Sequence, residues 1–201
     1  MKKNRMLPYR IIWFLMARPV RWFFNAKIEN KEIIPTSGAV VLAGNHKHAM
    51  DPILVDISTK RVVHALAKKD LHDGPFGWFF RLIGTIPVDL KAARNKEALD
   101  TAIAFLREGN VINVSPEAKR NYTEEILLPF KVGAVVMAKR TGCKVVPYAI
   151  TGTYKFRSRD LRIVYGEPID VASLEVEEAN ELLYQTVKEL LIKTSKTGNG
   201  K

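Results

Sequence analysis

From residue 38 onward, short runs of β-branched and other apolar residues alternate with segments whose apolar positions recur every three or four residues. The runs at 39–43, 62–66, 111–114 and 145–150 predict strands, several of them apolar enough to be buried on both faces. Residues 161–165 predict a further strand, antiparallel to the others. Between the strands, Leu99, Ala102, Ile103 and Leu106 share one face of a helix over 94–108, and Gly109 stops it. A second helix is predicted over 174–192. Ser173 caps it, Glu175, Glu177 and Glu178 sit where the helix dipole favours anions, and Val176, Ala179, Leu182, Leu183, Val187 and Leu190 form its apolar face. The alternation predicts an α/β fold, with residues 25–196 as a single domain whose mostly parallel mixed sheet is flanked by helices. Residues 197–201 are expected to be a flexible tail.

Residues 1–24 show another pattern, in which Tyr9, the apolar stretch at 11–17 and Trp22-Phe23-Phe24 are interleaved with Arg10, Arg18 and Arg21. The uninterrupted apolar run ends at Arg18-Pro19, well short of the ~20 residues that a bilayer core requires. No small-residue cleavage site comes after it, so the segment is expected to be retained. It predicts two short amphipathic helices hinged at Pro19, with aromatic rings and cations suited to the headgroup layer of an anionic membrane. The competing reading is an ordinary amphipathic helix packed on the domain.

Charge sharpens this picture. The 201-residue chain carries a formal net charge of +11, and residues 1–31 hold eight basic side chains against Glu29 alone. A surplus concentrated at one end, with no recognisable DNA- or RNA-reading motif, argues against nucleic acid and for an anionic membrane surface. With 47% hydrophobic and 26% charged residues the chain has the composition of a globular protein. Its single cysteine, Cys143, excludes an internal disulfide and a cysteine-based zinc cluster.

The candidate chemistry begins where the first strong strand ends, in Gly44-Asn45-His46-Lys47-His48-Ala49-Met50-Asp51-Pro52. Loops at the C-terminal ends of strands are where open α/β sheets place their sites. An imidazole takes a proton near neutral pH, and a nearby carboxylate fixes its tautomer and stabilises the cation that forms. With His46 on a loop and Asp51 at a helix start, the chain can fold back to bring the two together. Asp51 also suits a helix N-cap before Pro52, a role that Asn fills almost as well, so Asp51→Asn is expected to leave stability nearly unchanged. The spacing of His46 and His48 permits a metal site with Asp51, but His64 and His72 lie elsewhere and no cysteine or acidic cluster accompanies them.

Several motifs together, in order along the chain, resemble the glycerolipid acyltransferases, most closely the short bacterial 1-acylglycerol-3-phosphate O-acyltransferases. Asn45-His46 with Asp51 resembles their His-x4-Asp signature, Gly84-Thr85-Ile86-Pro87-Val88-Asp89 their second motif, Ser115-Pro116-Glu117-Ala118-Lys119-Arg120 their third, and Val145-Val146-Pro147-Tyr148 their fourth. Ala67-Lys68-Lys69-Asp70-Leu71, before the aromatic segment at 76–80, is similar to the family as well, and the resemblance covers roughly residues 25–192. The departures are Leu90 where the family has an arginine, with Lys91 or Arg94 as substitutes, and His48 where it has a serine. In the third motif, Ser115, Ala118 and Lys119 replace an aromatic residue, a glycine and a threonine.

The resemblance implies transfer of a fatty acyl group from an activated donor to the sn-2 hydroxyl of lysophosphatidate, making phosphatidate. The donor would be acyl-carrier protein, acyl-CoA or an acyl phosphate. His46 would be the general base, oriented by Asp51; Arg120 and Lys119 would hold the acceptor's phosphate, with Lys68 as a further cation. Glu117 would orient Arg120 or a glycerol hydroxyl. No cofactor and no metal are implied, and the protein is expected peripherally on the cytoplasmic face of the cell membrane. Glycerol-3-phosphate or another lysolipid as acceptor, and a non-catalytic basic lipid-binding module, are the alternatives.

Overall fold

The computed structural model describes residues 7–90 and 95–198. Its strands are β1 (Lys27–Glu29), β2 (Val40–Gly44), β3 (Val63–Lys68), β4 (Ile86–Val88), β5 (Val111–Val114), β6 (Lys144–Thr151) and β7 (Arg162–Tyr165). Its α-helices are α1 (Leu7–Phe24), α2 (Asp51–Asp56), α3 (Lys69–Asp73), α4 (Gly77–Leu82), α5 (Lys96–Arg107), α6 (Gly133–Thr141) and α7 (Val176–Gly198). The strands form one sheet in the order β1-β7-β6-β2-β5-β3-β4. Strands β6, β2, β5, β3 and β4 run parallel, and β7 is antiparallel to β6, as residues 161–165 predict.

Each central strand is covered on both faces, so its residues are mostly apolar, with Asn113 in β5 and His64 in β3 as buried polar exceptions, and its alternation divides them between two cores. In β2, Val41 and Ala43 join Ile112, Val114, Val145 and the inner faces of α5, α6 and α7. Val40 and Leu42 point the other way, toward Val146, Tyr148, Ile150, Leu54 and Val55. Full burial of a side chain such as Leu42 contributes about 1.5 to 3 kcal/mol. Parallel register also brings the ends of β2, β5, β3, β4 and β6 to one edge. The residues just beyond those ends include His46, Glu117 and Arg120, with Lys68 closing β3.

Three expectations are corrected. The N-terminal segment is one helix, α1, with Pro19 inside it rather than two helices hinged there. A proline costs an interior helix one hydrogen bond; here the stripe Tyr9, Trp13, Ala17, Val20 and Phe24 packs on the domain, with Tyr9 and Ala17 fully buried, and holds both halves in line. Helix α7 starts at Val176, not after Ser173, and the Glu175 backbone N–H donates to Glu178 Oε2 at 3.4 Å in a capping-box manner. The same helix runs on to Gly198, into the segment expected to be a tail. Lys91 and Arg94 lie outside the described residues.

Polar contacts beneath α1 fix its seat. Trp13 Nε1 donates to the Asp56 carbonyl at 2.9 Å, and the Tyr9 hydroxyl accepts from Val63 N–H at 3.2 Å while hydrogen-bonding the Asp56 side chain. Asp56 Oδ1 is buried without a partner, and burial pushes this carboxyl up to about 8, only partly offset by the Tyr9 bond. A carboxyl raised in the folded state contributes stability that is complete below the unfolded value, near 4, and is lost as pH rises through about 8. Asp56→Asn removes this dependence. Thermal melts from about pH 5 to 8 should show wild-type stability falling relative to the Asn variant, and parallel curves would refute the assignment.

Candidate active site

Gly44 closes β2, and its backbone lies so near β6 that a Cβ there would sit 2.3 Å from the Tyr148 carbonyl oxygen. Asn45, buried, then continues the pairing with its side chain, accepting from Ile150 N–H at 2.7 Å and donating to the Ile150 carbonyl at 3.0 Å. The chain is therefore fixed up to the residue before His46.

Asp51 organises the loop from His46 to Met50. It is 1% exposed, and its Oδ2 accepts from Lys47 N–H and His48 N–H, each at 2.8 Å, and from His46 Nδ1 at 2.9 Å. Oδ1 accepts from the Tyr154 hydroxyl at 2.7 Å. Asp51 is not the helix cap: α2 begins at Asp51 itself, and Met50 precedes it with no side-chain capping bond. Its carboxylate instead closes the loop behind it, which sets the ring of His46 with Nδ1 held by a carboxylate.

Glu117 fixes the other side of His46. Its Oε1 accepts from His46 N–H at 2.6 Å and its Oε2 from Leu128 N–H at 2.8 Å. Burial raises this carboxyl above its ordinary value, while the two backbone bonds and His46 oppose the rise. With both oxygens engaged by backbone, Glu117 holds the His46 peptide, and among the described residues it makes no contact with Arg120. The Asn121 N–H donates to the His46 carbonyl at 2.9 Å, which brings the third-motif loop against the first. Ala118 in this loop has φ 58°, a left-handed conformation that glycine adopts with least strain.

The cations are more exposed. Arg120 neighbours Asn121 and lies over the Tyr122 ring at 5.3 Å, while Lys119 is exposed beside it. Lys68, also exposed, pairs with Asp70 at the end of β3. Leu90, 44% exposed, lies just after β4. The His48 ring stacks on Tyr154 with centroids 4.4 Å apart, and its Nδ1 accepts from Met50 N–H at 3.2 Å. His64 is buried, hydrogen-bonded to the Gly84 carbonyl at 2.7 Å and stacked on Phe105, with its pKa lowered by burial.

Sequence reasoning missed Lys47 and Tyr154. Lys47 Nζ donates to the Gly152 carbonyl, and burial lowers its pKa against the pull of Asp51 and Asp160. Tyr154 lies 103 residues from Asp51 and shares no periodic pattern with it. Its position just beyond a strand's C-terminal end was the one usable signal.

A histidine held by a carboxylate thus stands at the C-terminal edge of a parallel sheet, where open α/β folds place their sites. The family description Acyltransferase matches residues 25–151, and the chain belongs to that family. Among proteins it is similar to, the 1-acyl-sn-glycerol-3-phosphate acyltransferase of Borreliella burgdorferi is 32% identical over 67% of this chain and 55% of its own length. The enzyme of that name from Saccharomyces cerevisiae is 30% identical over 64% of this chain and 44% of its own. The chain thus spans about half the length of these relatives. The crystal structure of the 1-acyl-sn-glycerophosphate acyltransferase from Thermotoga maritima shares the fold, with a TM-score of 0.76 over 97% of this chain and 84% of that one at 24% identity.

The geometry changes the expected outcome of Asp51→Asn. An Asn oxygen could still accept at the Oδ2 position, but charge-assisted bonds become neutral ones, so stability should fall by about 1 to 3 kcal/mol, together with a strong loss of turnover. Chemical denaturation measures this. An unchanged midpoint would restore the cap reading.

Proposed function

We propose that this chain transfers a fatty acyl group from an activated donor to the sn-2 hydroxyl of lysophosphatidate, forming phosphatidate. The observation that carries the reading is the 2.9 Å contact of His46 Nδ1 with Asp51 Oδ2 inside the family's first motif; the names of the relatives support the acceptor. His46 Nε2 takes the hydroxyl proton as the oxygen forms a bond to the acyl carbonyl carbon. Asp51 stabilises the imidazolium. Collapse of the tetrahedral intermediate breaks the bond to the leaving group, a thiolate or a phosphate, and the imidazolium returns the proton to it. No acyl-enzyme is needed.

Arg120 is proposed to hold the acceptor's phosphate, because its backbone adjoins the Asn121 N–H that touches His46. A glycerol phosphate places its anion a few bonds from the sn-2 oxygen, so the cation that binds one aims the other at the base. Lys119 stands beside it, and Lys68 marks the neighbouring strand end. Leu90, where the family has an arginine, is the observation that makes glycerol-3-phosphate worth testing beside lysophosphatidate.

His46→Ala should lower turnover by about 10² to 10⁴ with the fold intact. Arg120→Ala should weaken use of lysophosphatidate by about 10- to 100-fold, the scale of a charge-assisted contact, and lose most of the preference over a lysolipid without phosphate. Both are read from products resolved by mass. Equal losses on the two acceptors would remove Arg120 from the phosphate site, and full activity of His46→Ala would end the general-base reading.

The membrane-contact reading rests on the outer face of α1. Leu7, Ile11, Phe14, Leu15, Met16 and Trp22 are exposed there beside Arg10, Arg18 and Arg21. Phe156 extends the patch through edge contacts with Trp22 and Phe23 at 5.6 and 5.2 Å. No helix among the described residues is long and apolar enough to cross a membrane. Interfacial seating of this face on anionic lipid is the arrangement its mixture of aromatic and basic residues supports. Removing α1 would also strip the core that Tyr9 and Ala17 cover, so replacement of Phe14, Leu15 and Trp22 by serine is the cleaner test. Sedimentation with anionic vesicles should be largely lost while the melting temperature holds; undiminished sedimentation would refute this contact.

A further inference from the structure

The loop between β6 and β7 reaches the proposed catalytic dyad by way of Tyr154. Its geometry begins at Gly152, with φ 80°, where a Cβ would lie 2.2 Å from the Asp160 carbonyl oxygen, so the turn tolerates no side chain. Lys47, from the loop that carries His46, clasps the Gly152 carbonyl. Further along, Arg157 N–H donates to the Phe23 carbonyl at 2.6 Å, and Asn25 Nδ2 to the Ser158 carbonyl at 3.1 Å. The loop is thus tied at one end to the catalytic loop and at the other to the C-terminal end of α1. Tyr154 stands between them: one edge of its ring meets Phe24 at 5.5 Å, its face stacks on His48, and its hydroxyl donates to Asp51.

We propose that Tyr154 is a positioning residue for acyl transfer, acting through the Asp51 carboxylate to set the orientation and basicity of His46. This rests on the reading of His46 and Asp51 as base and orienter. Asp51 has one oxygen for the imidazole and two backbone N–H groups, and the other for Tyr154. A phenol donating to Oδ1 draws negative charge toward itself, which limits how strongly Asp51 favours the imidazolium and keeps His46 free to accept a proton from substrate. It also fixes the carboxylate plane, on which the direction of the His46 ring depends. Burial and the neighbouring Asp51 hold the phenol protonated, so it remains a donor across the working pH range. The other titratable groups facing the dyad are Lys47 and His48 from its own loop, Glu117 from the loop after β5 and Tyr148 from β6.

The test compares wild type, Tyr154→Phe, a protein carrying 3-fluorotyrosine at position 154, and His46→Ala in one steady-state assay with lysophosphatidate across pH. Tyr154→Phe keeps the ring on His48 and loses only the donor. It should lower kcat about 10-fold with KM for both substrates nearly unchanged, and move the acid limb of kcat/KM to higher pH, since an unshared Asp51 favours the imidazolium more. Fluorotyrosine keeps shape and hydroxyl but donates more strongly, so its acid limb should move the opposite way. It also covers the case in which the Phe variant fails to fold. Acid limbs that stay in place, with kcat falling only as far as melting temperature falls, would make Tyr154 a structural residue and overturn the proposal. His46→Ala separates the two claims: if it is inactive while the Tyr154 variants match wild type, only the positioning role fails, and if it is fully active the base reading fails and takes this proposal with it.

Discussion

A carboxylate that is 1% exposed, with four donors converging on it, is the constraint on which the candidate site is built. Removing a carboxylate from water costs several kcal/mol unless its lone pairs are met, and Asp51 meets them with two backbone N–H groups, an imidazole and a phenol. Those partners come from two distant parts of the chain, so the carboxylate closes the 46–51 loop on itself and ties it to the loop after β6. The His46 ring is thereby held at Nδ1. Glu117 repeats the device from the opposite side, holding the His46 and Leu128 amides with its two oxygens.

The sheet makes these meetings possible. Because β2, β5 and β6 are parallel and adjacent, residues separated by about 70 and 100 positions in sequence, such as His46, Glu117 and Tyr154, emerge at the same edge. The strands themselves are held by burial on both faces, which leaves the edge loops to carry polar groups that the core excludes. Helix α1 belongs to this arrangement twice over. Its inner stripe completes one core, and its end contacts the loop that bears Tyr154, while its outer stripe presents aromatic and basic side chains to the surroundings.

The central strands and the helices at 96–107 and 176–198 were legible in the sequence because two-sided burial and amphipathic periodicity leave strong local patterns. The short edge strands β1 and β4 carry only three residues each, too few for a period to show. The supposed break at Pro19 was a local rule overridden by packing, since the stripe from Tyr9 to Phe24 continues through it. Within the site, the His46 and Asp51 pair could be read from a spacing of five residues that allows the chain to fold back. The role of Glu117 could not, because a carboxylate engaged by two amides looks in sequence like any polar loop residue. For Tyr154 the sequence offered only its place just after a strand end, and its contact with Asp51 depended on tertiary register.

The proposed chemistry turns on which nitrogen of His46 carries the proton when the ring is neutral. If Asp51 holds Nδ1–H, then Nε2 is bare and able to accept a proton from an alcohol. Nitrogen-15 NMR of the protein labelled at its histidines, with His46 assigned by comparison with His46→Ala, measures this directly. Neutral His46 should be the Nδ1–H tautomer with an unprotonated Nε2, and Asp51→Ala should release it toward the tautomer mixture of a free imidazole. Neutral His46 found as the Nε2–H tautomer in the wild-type protein would contradict the general-base assignment.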